Sequence, residues 1–594
     1  MQNFKTMRNI YKILVAIILS FSLFACSDEL LDKQPLDKFS EASVWQDLNL
    51  AEVYVNNQYK VLPKLGWYEW IRSYQLSCFT DEATHKYGYH SIYDYWGGIM
   101  GPSIPTGIDV WRYHYEFIKG CNEFLQKIDT YIPEDDEEEA IKDRLTGEIY
   151  ALRAWSYMDL AARYGGVVLI TEPFGLNDDF LRTRSTFDQT VELVISDLDN
   201  AIQRLPLSYP DDSNWGRITK GAAMAMKSRM LLYAASPLFN PTNDITKWEQ
   251  AAAAAKAVID LDLYEMEGDF KQMFLTNKNR EIILSRGNDA VNNDGLFDYF
   301  EVAEGLGGGI DGNDYNGGWS STMVGQALVD DFEWDDGTMF DWENPAHAAD
   351  PYGIGENGQV DGNGDPLRKR DPRFYASITF DGSPWISDSL VQFWICEESN
   401  NYNLNPFDPS FTLSYTVYGR NSIGNPKRWG VAETGYSYRK SMDPYYNLDK
   451  EQFPRSIPWI IIRYAEILLN YAEASFEAGD PDVAIHWINQ VRARVDMPPI
   501  SGSGDELREI IRHERRVELC LEGHHFYDAR RWMIAHETFN KPLVGVRIVK
   551  DKFSDTKVYN LFEYEQRSWP EKYYLQPIPQ YELEKVTLQQ NPGY

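Results

Sequence analysis

Aromatic and polar residues are interleaved in two glycine-containing stretches, from Asp81 to Gly98 and from Asp311 to Trp319. Tryptophan and tyrosine rings offer flat apolar faces, and Asp and Asn offer planar hydrogen-bonding groups, which together suit the C–H faces and hydroxyls of a sugar. For any single ring, packing into the core is the alternative. Trp67 and Trp70 are further candidates outside the two stretches. The predicted glycan-binding residues are Asp81, Tyr89, Tyr93, Tyr95, Trp96, Asn313, Tyr315 and Trp319.

Two oxygen-rich turns make calcium the one cofactor that the sequence leaves open. Asp361, Asn363 and Asp365 alternate as in a D-x-N-x-D loop. Pro366 and Pro372, however, stand where an EF-hand requires Gly and Glu. Turns rich in Asp and Gly are also common without a metal, so both alternatives stay open. The second turn contains Asp311, Asn313 and Asp314.

Charged residues of both signs crowd the segment 514–531, which raises the question of catalysis. Paired carboxylates near aromatic rings can cleave a glycosidic bond, but 90 acidic residues create such pairs by chance. Consecutive His524 and His525 point to different faces of a helix and therefore do not share a zinc ion. We predict an ion-pair network and no catalytic residue; a surface glycoside hydrolase is the alternative. The network residues are Glu514, Arg515, Arg516, Glu518, Asp528, Arg530 and Arg531.

The first 26 residues have the pattern of an exported lipoprotein. An N-terminal segment with three basic and no acidic residues precedes the apolar run Ile13–Phe24. This run is too short to span a bilayer and is typical of a signal peptide. Leu23-Phe24-Ala25-Cys26 resembles a bacterial lipobox, so we predict a signal peptide over 1–25, acylation of Cys26 and a tether over 26–40. The acidic Ser27-Asp28-Glu29 favours the outward-facing leaflet. An ordinary cleaved signal peptide is the alternative.

Composition limits the partners. The net charge of -33 repels nucleic acid and anionic lipid headgroups. We therefore predict no nucleic-acid partner, contact with the membrane only through the lipid anchor, and a neutral glycan. Cys78, Cys121, Cys396 and Cys520 lack the spacing of zinc or redox motifs; buried free thiols and one disulfide both stay open.

Two helical regions enclose an irregular middle. Frequent Gly, Asn, Asp and Pro over 265–455 predict loops and short strands. Helical periodicity resumes from about Ile460 to about Ala535. In the first region the periodicity predicts helices over Trp111–Ile128, Ala140–Tyr164, Phe187–Leu205, Ile218–Ala235 and Ile245–Leu261.

A helical hairpin between Arg463 and Val495 is the clearest structural unit. Gly479 suits the left-handed position that ends a helix, and Asp480 followed by Pro481 suits the start of the next one. Ala472 and Ala484 occupy the small-residue positions of a tetratricopeptide pair; a generic helical hairpin is the alternative. We predict a mostly α protein in which 41–594 form one globule. Residues 41–264 and 456–594 form its helical scaffold, and 265–455 form a loop-rich ligand-binding insertion.

Four motifs, together with the lipobox, span nearly the whole chain: Asp371–Ala376, Ile462–Ala474, Glu514–Leu519 with Glu522–Trp532, and Leu575–Pro579 with Gln590–Tyr594. All four resemble motifs of the SusD/RagB family. The resemblance implies a mostly α fold with four tetratricopeptide-like helix pairs. It also implies a non-enzymatic lipoprotein on the surface of a bacterial outer membrane, which captures an oligosaccharide or polysaccharide and passes it to a SusC-like, TonB-dependent transporter. By position, both aromatic stretches resemble segments that line the family's glycan site. An assembly scaffold that binds no glycan is a second alternative, and the sequence does not specify the sugar.

Overall fold

Helices are the predominant secondary structure in the chain that the computed structural model describes. The described residues are 44–63, 75–87, 89–104, 108–175, 182–287, 300–303, 318–354, 369–385, 389–397, 416–418, 422, 430–443, 458–551, 554 and 556–594. In chain order, the helices are α1 Leu48–Gln58, α2 Tyr89–Trp96, α3 Trp111–Ile128, α4 Asp136–Tyr164, α5 Phe187–Arg204, α6 Lys220–Ala235, α7 Ile245–Ile259, α8 Phe270–Leu275, α9 Gln326–Asp331, α10 Pro345–Ala349, α11 Pro372–Ser377, α12 Tyr464–Glu477, α13 Pro481–Ala493, α14 Gly504–Glu518, α15 His524–Arg531, α16 Ala535–Thr538 and α17 Gln580–Leu583.

The helices predicted between residues 111 and 261 are confirmed, with small differences at their ends. Helix α4 begins at Asp136, about one turn before the predicted Ala140. The side chain of Asp135 accepts a hydrogen bond from the Glu138 backbone at 2.9 Å and so caps the added turn. Acidic residues fill that turn and interact favourably with the positive end of the helix dipole.

Strands are short and lie mostly in the middle of the chain, as predicted. They form the antiparallel pairs β1–β3, β2–β10, β4–β9 and β5–β6 and a four-stranded sheet in the order β12-β11-β7-β8. The long hairpin of β11 and β12 follows the helical region and was not predicted. The strands are β1 Ala83–His85, β2 Ile282–Arg286, β3 Thr322–Val324, β4 Ile378–Thr379, β5 Pro384–Trp385, β6 Ser389–Leu390, β7 Ile395–Glu397, β8 Thr416–Tyr418, β9 Ser437–Tyr438, β10 Trp459–Arg463, β11 Leu543–Lys550 and β12 Lys557–Glu565.

The hairpin of α12 and α13 has the predicted turn. Gly479 has a φ of +99°, in the region that favours glycine, and ends α12. The Asp480 side chain accepts a hydrogen bond from the Val483 backbone at 3.3 Å and caps α13. Ala472 and Ala484 are both fully buried, which is consistent with small residues at a close helix contact.

Two large clusters of apolar side chains form the core. The first joins α1, α3 to α7 and α12 to α14. The second combines rings from the middle of the chain, such as Phe374 and Tyr436, with Phe526, Val546 and Trp569 from the C-terminal part. The middle of the chain therefore packs directly against helices and strands that follow it.

A buried ion network joins the middle of the chain to the helices. Arg373 on α11 lies 2.7 Å from Asp371 and 3.0 Å from Glu518 on α14. Arg463 lies 2.9 Å from Glu281 and also contacts Glu518. These ion pairs confirm the predicted ion-pair network for Glu514 and Glu518 of α14. The network consists of Glu281, Asp371, Arg373, Lys440, Arg463, Arg492, Arg494, Glu514, Glu518 and Glu522.

The remaining predicted network residues lie in neighbouring clusters. Arg515 and Arg531 each lie 2.8 Å from the Asp528 carboxylate. Arg530 differs, because it donates hydrogen bonds to the hydroxyl of Tyr95 and to the carbonyl of Phe526, both at 2.6 Å.

The four cysteines of the globule are buried free thiols. Of the two alternatives for these residues, the structure therefore supports free thiols.

Candidate functional site

Trp319 presents the largest ring of the candidate site to solvent. It is 39% exposed, and its ring makes edge-on contacts with Tyr87 at 5.3 Å and Phe300 at 6.0 Å between centroids. These neighbours contact the ring and leave much of it exposed. A partly exposed tryptophan held by other aromatic rings is a rigid stacking surface for a sugar.

The backbone around Trp319 explains its position. Ser320 and Ser321 donate hydrogen bonds to the carbonyls of Val302 and Phe300, each at 3.0 Å, so the segments 300–303 and 318–321 run side by side. Gly318 has a φ of +91°. A Cβ there would lie only 2.6 Å from the Val302 carbonyl oxygen, so glycine is required directly before the tryptophan.

Tyr93 extends the exposed aromatic surface from α2. It is 59% exposed, and partial burial together with the carboxylates of Glu565 and Glu433 raises the pKa of its hydroxyl. Glu433 also lies 3.3 Å from Lys86, the residue before Tyr87. Glu433 is therefore a charged neighbour of both Tyr93 and Lys86. The set that we call the aromatic face is Tyr87, Tyr93, Phe300 and Trp319.

The carboxylates beside the aromatic face are hydrogen-bonded and charge-compensated. Glu433 accepts a hydrogen bond from the Tyr564 hydroxyl at 2.6 Å and pairs with Lys86. Glu565 lies 2.8 Å from Arg567. Lys86 and Arg567 are therefore already paired with carboxylates. The surroundings of Glu433 and Glu565 favour hydrogen bonding to hydroxyls over binding of an anion.

Trp96 and Tyr95 lie in the core, and the prediction that they offer stacking faces to a glycan is wrong. Trp96 is 2% exposed and donates a hydrogen bond from Nε1 to the Cys78 carbonyl at 3.2 Å. Tyr95 is fully buried, and its hydroxyl accepts a hydrogen bond from Nε1 of Trp569 at 2.7 Å. Helix periodicity is the reason: buried Ile92 lies three and four residues before these rings, so all three share one buried face of α2, whereas Tyr93 lies outside that face and is exposed.

Asp81 is also unavailable for binding a sugar, contrary to the prediction. Its carboxylate lies 2.8 Å from Arg516 and 2.9 Å from Nε2 of His525. Burial alone would raise the pKa of Asp81, but Arg516 and His525 outweigh it and hold the pKa well below its usual range. Asp81 is therefore an internal ion-pair partner.

Several predicted residues lie outside the described part of the chain, and their predictions stay open. For Tyr89 the structure gives the helical backbone of α2 but no account of the side chain. The residues outside the description are Cys26, Trp67, Trp70, Asp311, Asn313, Asp314, Tyr315, Asp361, Asn363 and Asp365. Among the described residues, no group of three or more His, Cys, Asp or Glu side chains is arranged to hold a metal ion.

The structure adds residues that the sequence analysis missed. Glu433, Tyr564 and Glu565 reach the site from the middle of the chain and from β12. They stand in neither aromatic stretch, and only the pairing of distant segments brings them beside Tyr93. Tyr87 was part of the first stretch by sequence and is confirmed as a neighbour of Trp319 by their ring contact.

The fold and the site together define the class: a helical-hairpin protein that presents an exposed aromatic face. A family model described as the SusD family matches residues 274–594, and one described as starch-binding, associating with the outer membrane, matches residues 37–232. The chain belongs to the SusD family.

Individual relatives agree with this membership. The chain is 31% identical to a SusD-like protein from Bacteroides fragilis of known structure, with a TM-score of 0.72 and coverage of 95% of this chain and 100% of the other. A laminarin-binding SusD-like protein shares the fold at 22% identity, with a TM-score of 0.60 and coverage of 92% and 100%. SusD-like protein P38 of Formosa agariphila is 23% identical over 581 residues, which are 91% of this chain and 95% of the relative.

The family model that names the outer membrane places the protein with outer-membrane-associated proteins. Among the helices of the described residues, none combines the length and the apolar composition that crossing a lipid bilayer requires.

Proposed function

We propose that this protein captures a neutral glycan at the bacterial cell surface and delivers it to a SusC-like, TonB-dependent transporter, while a lipid on Cys26 holds it on the outer membrane. The single observation that carries the binding step is Trp319, a tryptophan 39% exposed and held by Tyr87 and Phe300 at the surface. Membership of the SusD family and the carbohydrate-binding relatives support the same step.

The preference for a neutral glycan rests on charge. The chain carries a net charge of -33, and among the described residues the bases next to Glu433 and Glu565, Lys86 and Arg567, are paired with these carboxylates. An anionic sugar would have to displace one of these carboxylates, whereas sugar hydroxyls can donate to carboxylates and accept from tyrosines.

Affinity electrophoresis of the mature protein through gels that contain single polysaccharides tests the binding step. We expect at least one neutral polysaccharide to retard the protein and polyuronates or sulfated polysaccharides to have no effect. Retardation by anionic polysaccharides alone would contradict the preference for neutral chains. Retardation by none of a broad panel, with co-purification of a SusC-like transporter retained, would favour the assembly scaffold instead.

Capture without cleavage is part of the proposal. We expect no release of reducing sugar when the purified protein is incubated with the polysaccharide that retards it. Release that depends on a carboxylate near the aromatic face would identify a glycoside hydrolase.

Calcium stays a prediction for the turns that contain Asp311 and Asp361. Binding measured with calcium and with a chelator tests it: a loss of retardation with the chelator, restored by calcium, would support a metal-dependent site.

A further inference from the structure

A cleft of about 330 Å³ lies where four segments of the chain meet. It is lined by the loop after α2, the residues before α3, the end of α4 and the tail around α17. Backbone hydrogen bonds fix the walls: Gln580 donates to the Pro102 carbonyl at 2.9 Å, and Gln576 donates to the Arg163 carbonyl at 2.7 Å. The cleft is therefore pre-formed, and none of its lining residues belongs to the aromatic face.

Two donors of the lining residues lack a partner. Gln576 is 3% exposed, and its Nε2 amide group has no hydrogen-bond partner among the described residues. The hydroxyl of Tyr581 is also shielded from water; the Arg112 backbone interacts with its oxygen, but the described part of the chain offers no acceptor for its proton. Buried polar groups of folded proteins are nearly always paired, so two such donors around one cleft point to a ligand that accepts hydrogen bonds.

Acceptors stand beside these donors. Oδ1 of Asp109 is engaged by the Tyr164 hydroxyl at 2.7 Å and by the Trp111 backbone at 3.0 Å, which leaves lone pairs on the other oxygen. Glu584 accepts from the Gln580 side chain at 3.1 Å and retains further acceptor capacity. Among the described residues that line the cleft there are these two carboxylates and no Lys or Arg.

Charge and size restrict the ligand. Two carboxylates repel an anion, and an ammonium group or a metal ion has no lone pair with which to accept the hydrogen bonds that Gln576 and Tyr581 have to give. An uncharged polyol can accept hydrogen bonds from Gln576 and Tyr581 and donate hydrogen bonds to the two carboxylates, since each hydroxyl donates and accepts. The apolar walls, which include Met100, Pro102 and Pro577, suit the C–H groups of such a molecule.

We infer that this cleft is a second binding site, separate from the aromatic face, and that it takes one uncharged sugar residue. The volume is at the small end of ligand pockets, which favours a single residue or chain end over a longer oligosaccharide. The choice of a sugar over other polyols rests on the proposed function.

Ligand-observed NMR on the mature protein tests the inference. The probes are glucose, galactose, mannose and N-acetylglucosamine, with glucuronate and glucosamine as charged counterparts. To keep the aromatic face from contributing, the measurements are repeated in a Trp319→Ala background. We expect at least one uncharged sugar to bind in both backgrounds and to bind more tightly than either charged counterpart.

Tyr581→Phe removes one donor without altering the walls, and Gln576→Leu removes the other. We expect each variant to weaken binding by about five- to tenfold, in line with the loss of one hydrogen bond. Tyr471→Phe, which removes a hydroxyl from α12, is the matched control and should bind as the unmodified protein does.

Three results would overturn the inference: no uncharged sugar binds, a charged counterpart binds best, or Tyr581→Phe binds with unchanged affinity. Failure of the proposed function would look different, because the polysaccharide gels would show no retardation while the cleft still bound a monosaccharide.

Discussion

Two tryptophans that follow similar sequence patterns occupy opposite environments. Trp96 lies in the core with the guanidinium of Arg567 over its ring at 3.7 Å, whereas Trp319 is partly exposed on the aromatic face. We expect Trp319→Ala to weaken glycan binding by about 2 kcal/mol or more, as truncation of a hot-spot ring does, while the melting temperature changes little. Calorimetry and a thermal melt on the same variant measure both quantities.

Two comparisons make this prediction specific. Trp96→Ala should cost about 3 to 5 kcal/mol of stability, the usual range for truncating a large core side chain. Trp215, which is 36% exposed and outside the aromatic face, provides the matched control, and Trp215→Ala should leave glycan binding unchanged. Unchanged binding in Trp319→Ala would mean that the aromatic face is not the glycan site.

Glu301 should make the stability of the protein depend on pH near neutrality. Burial raises the pKa of this carboxyl from 4.5 to about 7, and hydrogen bonds from the Thr322 backbone and hydroxyl oppose the shift only partly. The folded state therefore holds this proton more tightly than the unfolded state. The stabilisation is fully present below pH 4.5 and is lost as the pH rises through about 7.

Removing the titrating group tests this dependence. At about 1.4 kcal/mol per pKa unit, the loss between pH 4.5 and pH 8 is about 3 kcal/mol. The free energy of unfolding of Glu301→Gln should lack this part of the pH dependence, whatever its absolute value. The exposed Glu571→Gln serves as control. A difference between the unmodified protein and Glu301→Gln that stays constant with pH would contradict the prediction.

Sequence alone predicted that aromatic residues would be exposed, but it did not predict correctly which of them are. Tyr93 and Trp319 are exposed as expected, but Tyr95 and Trp96 face inward. A helical reading of 89–96 would have separated them, because Ile92, Tyr95 and Trp96 share the buried face. Glu433 and Glu565 could not be predicted, since tertiary contacts alone bring them to the site.

Among the elements, the short helix α11 depends on charges that it shares with α14. Arg373 is almost fully buried and contacts Asp371, Glu514 and Glu518. Arg373→Leu would leave those carboxylates buried without their cation, and removing one partner from a buried ion cluster typically costs about 3 to 5 kcal/mol. We expect the midpoint of denaturant unfolding to fall accordingly.

An exposed ion pair provides the control for this element. Lys256 and Asp260 lie one turn apart at the end of α7 with more than half of each side chain exposed. Lys256→Ala should change stability by less than about 1 kcal/mol, because solvent screens such pairs. Equal effects of Lys256→Ala and Arg373→Leu would show that the buried network contributes no more than a surface pair.

Local sequence signals explain which elements were predictable. The turn at Gly479 and Asp480 has backbone and capping requirements that particular residues meet, so the hairpin of α12 and α13 was correctly placed. The hairpin of β11 and β12 was missed because it lacks a clean alternation of apolar and polar residues: Val558 and Leu561 are both exposed. The division into a scaffold and an insertion stays a prediction.

At the scale of the whole molecule, attachment of the protein to the membrane should depend on one residue. If Cys26 carries the lipid, Cys26→Ala should release the protein from the membrane fraction, because each buried CH₂ of an acyl chain contributes about 0.8 kcal/mol to membrane binding. Fractionation of cells that express either form measures this. An unchanged membrane fraction for Cys26→Ala would mean that something other than this cysteine holds the protein.

Exposure on the cell surface is a separate prediction. Protease added to intact cells should degrade the anchored protein, since delivery to a surface transporter requires the outward-facing leaflet. A periplasmic protein provides the control for intact cells. Protection until the outer membrane is broken would place the protein in the inner leaflet and contradict surface capture.

The C-terminal tail closes against the first half of the chain. Asn591 donates hydrogen bonds to the carbonyls of Tyr164 and Gln576, and Arg184 donates to Asn591 and to the Gln589 carbonyl. During synthesis, α4 therefore has to wait for partners that are made some 400 residues later. If the protein is exported as predicted, folding around α4 can be completed only after the tail has crossed the membrane, and the chain is exported before these contacts have formed.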